Sequence, residues 1–129
     1  MKKVILGLII ISTFVLAGVK TVGISPQVLQ SSYKIIDIRT KSEWMETGIV
    51  KGSIPIMFFD ARGNYDAQKF IDMLSGYVKK NEEFALICRT GRRSTVVSNF
   101  LGDMGYNVVN LQGGIKSLLQ QGYKLAPYQ

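Results

Sequence analysis

Phe84-Ala85-Leu86-Ile87-Cys88-Arg89-Thr90-Gly91-Arg92-Arg93-Ser94 joins an apolar run to a cluster of arginines. The apolar run reads as a buried strand, and downstream Val96, Val97, Phe100, Leu101 and Met104 recur at helical spacing. Cys88, the only cysteine of the chain, therefore stands where a strand ends and a helix begins. In an open parallel sheet this is the carboxyl edge, where ligands bind, and a helix start offers unpaired backbone N–H groups and the positive end of a dipole. A thiol there loses its proton easily. Arg89, Arg92 and Arg93 add fixed positive charge, and Gly91 lets the backbone curl into a nest of N–H donors. Such surroundings make a cysteine nucleophilic at neutral pH. The alternative is a buried cysteine serving as a small hydrophobe beneath solvated arginines. It must account for three arginines and a glycine within five residues of the sulfur.

Outward from this stretch, strand-like and helix-like segments alternate. Val22 to Ile24 reads as a short strand, Ser25-Pro26 as the cap and first position of a brief helix, and Tyr33 to Ile38 as a second strand. A short helix over Ser42 to Glu46 follows, then a turn between Gly48 and Gly52. Ile54 to Phe59 is a third strand, where Pro55 points to a sheet edge or to pairing that starts after it. Residues 60–66 are loop by composition. Phe70, Met73, Leu74, Tyr77 and Val78 share one helical face, Gly105 stops the helix after the Cys88 loop, and Asn107 to Leu111 is a fifth strand. Gly113-Gly114 then turns the chain into a last helix through Gln121. This alternation predicts an α/β doubly wound domain with a parallel sheet covered on both faces.

The run Cys88-Arg89-Thr90-Gly91-Arg92-Arg93-Ser94 resembles the active-site loop of rhodanese-type sulfurtransferases, whose pattern is close to C-x-x-G-x-R-S/T. Ile35-Ile36-Asp37-Ile38-Arg39 is similar to the early I-D-x-R of that family. Glu43-Trp44 with Gly48-Ile49-Val50-Lys51-Gly52-Ser53 is similar to its E-(aromatic)…G-x-I-x-G-A/S block, and Leu111-Gln112-Gly113-Gly114-Ile115 to its late L-x-G-G. The motifs stand in family order over residues 22–125. Two positions depart from the pattern: Ile49 stands where many members have histidine, and Leu118 where many have tryptophan. The resemblance implies a single rhodanese-like domain of five mainly parallel strands with helices on both faces. It also implies sulfur transfer from a small anionic donor such as thiosulfate to a thiol or cyanide, through a persulfide on Cys88 and without a cofactor. Arg89, Thr90, Gly91, Arg92 and Arg93 would form the substrate-binding loop.

Composition agrees with this chemistry. The 129 residues are 47% hydrophobic and 19% charged, which suits one globular domain with a sizeable core. The net charge is +7, yet the lysines are scattered and only the Cys88 loop clusters basic residues, so a small anion fits better than nucleic acid. The chain has no histidine, so Ser-His-Asp and Cys-His mechanisms are excluded, and the usual zinc sites are out of reach of a single cysteine. Sulfur transfer needs no separate base, because a thiolate attacks the donor sulfur directly. Asp37, Arg39 and Glu43 read as a structural ion-pair and capping network, Trp44 as a core anchor, and Arg62 as a solvated loop charge near the pocket rim.

Two further functional readings stay open. Phosphatases and arsenate reductases of the same fold place an arginine six positions after the cysteine, whereas Ser94 is at that position here and Arg93 at the fifth. A non-enzymatic module that binds a partner or carries sulfur between proteins is the other.

Met1-Lys2-Lys3 followed by Val4 to Leu16 has the charged and apolar regions of a secretory leader, with Val15-Leu16-Ala17 as the cleavage site. Residues 1–17 are thus expected to be removed on export to the periplasm or medium. The alternative is an uncleaved inner-membrane anchor over residues 4–19. Protein isolated from the producing cell should begin at or near Gly18 on N-terminal sequencing. Intact Met1-Lys2-Lys3 in the membrane fraction would establish the anchor instead.

Overall fold

A computed structural model describes residues 18–129, so the expected leader over residues 1–17 lies outside the described residues. The chain alternates as expected: β1 (Val19–Gly23), a short 3-10 turn (Val28–Gln30), β2 (Lys34–Asp37), α1 (Lys41–Thr47), β3 (Ile54–Pro55), α2 (Ala67–Ser75), β4 (Glu83–Ile87), α3 (Arg92–Asp103), β5 (Asn107–Gln112) and α4 (Gly114–Gln120). The five strands form one sheet in the order β1-β5-β4-β2-β3, and every pairing is parallel. β4, the strand that delivers Cys88, is at the centre.

Alternation along β4 divides the core. Phe84, Leu86 and Cys88 point to the face covered by Phe70 and Leu74 of α2 and Val97 and Leu101 of α3. Ala85 and Ile87 point to the opposite face, against Ile115 and Leu118 of α4. A strand buried on both sides has no polar face to offer, so its sequence is a continuous apolar run rather than an alternating one. Each fully buried large side chain contributes about 1.5–3 kcal/mol of hydrophobic stabilisation.

Local chemistry sets the element ends. Thr40 caps α1, accepting from the Glu43 amide while the Glu43 side chain accepts from the Thr40 amide, which closes a capping box. Asp66 caps α2 by accepting from the Lys69 amide at 3.0 Å. Pro55, without an N–H, falls on the edge strand β3 where it costs no ladder bond.

Several boundaries differ from the sequence reading. β1 begins at Val19 rather than Val22, because pairing with Val108 of β5 recruits residues too exposed to carry a hydrophobic signal. The brief helix after Pro26 is one 3-10 turn, with the Ser25 hydroxyl accepting from the Val28 amide. On α3 the buried residues are Ser94, Val97, Ser98 and Leu101, while Val96 is 55% and Met104 37% exposed. The true inward stripe thus includes two serines and leaves out two hydrophobic residues. Beyond α4, Ala126 bridges back to Ile49, and Tyr128 packs its ring 5.4 Å from that of Trp44.

Among the described residues Ser98 Oγ is the buried side-chain polar atom with no hydrogen-bond partner. An orphan hydroxyl in a core costs its lost hydration, and serine is a poorer helix former than alanine. Ser98→Ala should therefore stabilise the domain by about 1 kcal/mol, read as a rise in thermal midpoint. An unchanged or lower midpoint would show that the hydroxyl is satisfied in solution.

Candidate active site

Cys88 follows β4 directly and is 1% exposed. Its sulfur accepts from the amide of Gly91 at 3.1 Å and the amide of Ser94 at 3.4 Å. Those amides lie at the start of α3, whose N-cap residue Gly91 has no side chain to offer. The first N–H groups of a helix have no partner within it. Here the sulfur takes the place of a capping oxygen. Gly91 has φ +102, a left-handed conformation that lets the loop close over the sulfur without steric strain.

The loop is held from the other side by α4. The Ile115 amide donates to Cys88 O and the Lys116 amide to Arg89 O, each at 2.9 Å. With these carbonyls engaged by α4, the amides of Gly91 and Ser94 face the sulfur. Gly114 makes this contact feasible: a Cβ there would lie 2.4 Å from Cys88 O and 2.6 Å from both C and O of Arg89. The late Gly113-Gly114 of the sequence is therefore part of the cradle's wall.

Beneath the loop runs a polar chain, buried at Ser94 and Asn110 and reaching the surface at Thr95. Ser94 Oγ is 3.5 Å from Cys88 Sγ and donates to Asn110 Oδ1 at 2.7 Å. Asn110 Nδ2 donates to Thr95 Oγ1 at 2.9 Å, and Thr95 Oγ1 donates to Gly91 O at 2.6 Å. Asn110 is 1% exposed in the middle of β5. The sequence reading did not single it out, although an asparagine interrupting Val108-Val109 and Leu111 is the signal that would have found it.

The charges sort into paired and unpaired groups. Asp37 and Arg39, both buried, form a bidentate pair, and Asp37 Oδ1 also accepts from the Trp44 indole at 3.0 Å. Arg39 donates onward to Gly48 O and Thr47 Oγ1. Glu43 pairs not with this couple but with Arg93, at 2.6 and 2.8 Å, tying α1 to the start of α3. Burial pushes the Glu43 carboxyl up, but hydrogen bonds and charge from Arg93, with help from Thr40, outweigh it and hold the group at about 2. Glu43 in turn raises Arg93, which also feels the charges of Cys88 and Asp37 more weakly. Arg89, Thr90 and Arg92 are exposed, and among the described residues neither Arg89 nor Arg92 is in an ion pair.

A cleft of about 620 Å³ lies beside the loop, lined by Thr40, Ser42 and Glu43 of the α1 start, Asp60, Ala61 and Gly63 of the following loop, and Arg92 and Arg93. Arg62 itself stands in that loop with its amide bonded to Asp60 Oδ1. A separate apolar cleft of about 550 Å³ lies between α1, β3 and α2, away from the sulfur. Among the described residues no group of three or more His, Cys, Asp or Glu side chains could hold a metal ion, and no helix is long and apolar enough to cross a membrane.

Comparison with known proteins gives the arrangement a family. The rhodanese-like domain family matches residues 26–121. The chain is 31% identical over 81 residues to the putative sulfurtransferase YtwF of Bacillus subtilis, covering 63% of this chain and 68% of that protein. It is 27% identical over 89 residues to thiosulfate sulfurtransferase 18 of Arabidopsis thaliana, covering 67% of this chain and 65% of that protein. A rhodanese-like domain protein from Staphylococcus aureus superposes with a TM-score of 0.62 at 23% identity over 85% of this chain and 99% of that one, a likeness of fold.

The Glu43–Arg93 pair makes a pH prediction. Its carboxyl titrates lower in the folded protein, about 2 against 4.5, so the stability it contributes is present above pH 4.5 and is lost as pH falls toward 2. The pair is partly exposed, and solvent screening reduces its contribution to about 1 kcal/mol. Glu43→Gln should unfold more easily than the parent at pH 6, and the gap should close toward pH 2. A gap independent of pH, measured by denaturant unfolding, would assign the effect to packing alone.

Proposed function

The chain belongs to the rhodanese-like domain family, and we propose that it is an exported sulfurtransferase that carries sulfane sulfur on Cys88. The thiolate attacks the outer sulfur of an anionic donor such as thiosulfate. The donor S–S bond breaks, sulfite leaves with its electron pair, and a Cys88 persulfide remains. A thiol or cyanide then attacks the outer sulfur and returns Cys88 to the thiolate.

The observation that carries this reading is the donor set around the sulfur: two backbone N–H groups at 3.1 and 3.4 Å aimed at the one cysteine, with a serine hydroxyl rather than a carboxylate beside it. Arg92 and Arg93 occupy the first two positions of α3, whose amides lack intrahelical partners and can hold the charged persulfide. The exposed Arg89 and Arg92 guanidinium groups are suited to the anionic end of the donor. Arg93 adds positive charge near Cys88 while its fork is occupied by Glu43. That occupancy, with Ser94 where a phosphate-wrapping loop has arginine, favours a sulfur donor over a phosphate ester. Relatives named as sulfurtransferases support the same chemistry.

Intact-mass analysis after exposure to thiosulfate should show the gain of one sulfur atom, removed by cyanide with release of thiocyanate. Cys88→Ser should neither gain sulfur nor turn over while keeping the parent's circular dichroism, because a hydroxyl does not ionise at neutral pH. Turnover by that variant near the parent rate would overturn the reading.

A further inference from the structure

In the chain Cys88–Ser94–Asn110–Thr95 the Ser94 hydroxyl proton has three acceptors in reach: the sulfur, Asn110 Oδ1 and Gly91 O. With the Ser94 proton on Asn110 Oδ1 at 2.7 Å, Ser94 Oγ presents a lone pair to the sulfur 3.5 Å away. That direction suits a thiol, whose S–H donates to Ser94 Oγ. It does not suit a thiolate, which needs a donor. Turning the Asn110 amide by a half-rotation exchanges its oxygen and nitrogen with almost no movement of heavy atoms. Nδ2 then donates to Ser94 Oγ, the Ser94 hydroxyl donates to the sulfur, and the Thr95 hydroxyl donates to Oδ1. Gly91 O, released by the Thr95 hydroxyl, keeps the Thr95 amide at 3.0 Å. Every buried polar atom of the chain stays satisfied in both directions.

We propose that Asn110 is a positioning residue whose amide reverses the hydrogen-bond direction of Ser94, making that hydroxyl an acceptor for the Cys88 thiol and a donor to its thiolate. A symmetric pair of acceptors could not do this, nor could an apolar residue. The amide is the side chain that carries both roles on one rotatable bond. The proposal rests on the reading of Cys88 as the nucleophile and adds to it how the site accommodates the change of charge at the sulfur.

The charged groups on the elements around the loop are Asp37 at the end of β2 with Arg39 just after it, Glu43 on α1 with Arg93 on α3, Arg89 in the loop, Arg92 at the start of α3, and Lys116 on α4. Ser94→Ala and Asn110→Leu leave all of these unchanged.

The test is a thiolate titration by ultraviolet absorbance, clean because Cys88 is the one cysteine, with folding followed by circular dichroism. Ser94→Ala should move the midpoint up by about one pH unit, the size of a lost hydrogen bond to a charged group. Asn110→Leu should move it up by a smaller amount, because the Ser94 hydroxyl then turns to Gly91 O, 3.2 Å away. The two substitutions together should move it no further than Ser94→Ala alone. Asn110→Asp, which offers acceptors at both ends and pins the Ser94 proton, serves where the leucine variant does not fold. Its shift should shrink in the Ser94→Ala background to the field of the added charge. An unmoved midpoint in Ser94→Ala, or an Asn110 effect that persists in full without the Ser94 hydroxyl, would overturn the proposal. The titration reads ionisation alone, so failure of the relay is distinguishable from failure of sulfur transfer, which shows only in the thiosulfate and cyanide reactions.

Discussion

Helix α3 starts without a side-chain cap, and that single deficit links fold to chemistry. Its first amides must find an acceptor in a buried place, and the acceptor supplied is the sulfur of Cys88. An uncapped buried helix start would cost the desolvation of its N–H groups. Stabilising the helix and stabilising negative charge on the sulfur are therefore the same interaction. The more charge the sulfur carries, the better it caps. The remaining architecture can be understood as what brings the sulfur to that point. β4 sits at the centre of the sheet, buried on both faces, so its carboxyl end is rigid. α4 takes the loop carbonyls, and Gly114 lets it come close enough to do so.

The charges follow a division of labour. Two pairs serve geometry: Asp37–Arg39 is fully buried and gathers Trp44, Thr47 and Gly48 around it, and Glu43–Arg93 fastens α1 to α3. A buried pair is weak evidence for net stability, since desolvation opposes attraction, but losing one member strands the other. Asp37 is bonded on both oxygens, so its pair acts more as a joint than as a charge. Arg89 and Arg92, which have no such partner among the described residues, are exposed on the loop and at the start of α3. A small anion approaching the loop thus meets two uncommitted guanidinium groups and the start of a helix.

Much of this was legible in the sequence because the relevant signals are local. The Phe84–Ile87 run, the arginine-rich loop and the helical spacing after it place the cysteine at a strand end, and the order of motifs points to the family. Pro55 marked an edge strand for a reason that lies within one residue. What escaped was pairing between distant positions. Glu43 and Arg93 are fifty residues apart, and nothing in either neighbourhood names the other. On α3 the hydrophobic count favoured Val96 and Met104, whereas the inward stripe carries Ser94 and Ser98. A serine facing inward is silent in a hydrophobic pattern until its partner is known. Asn110 was hidden for the same reason, being a polar residue inside a strand whose use depends on a helix sixteen residues earlier.

The depth of the sulfur also constrains who can reach it. Cys88 is 1% exposed, so under the proposed function a donor has to bring its sulfur in through the loop. Burial at that depth shields the sulfur from bulky electrophiles and suits the slender donor with a terminal reactive atom that the proposed function calls for. A fold that buries a cysteine as a helix cap can thereby discriminate among reagents through depth alone.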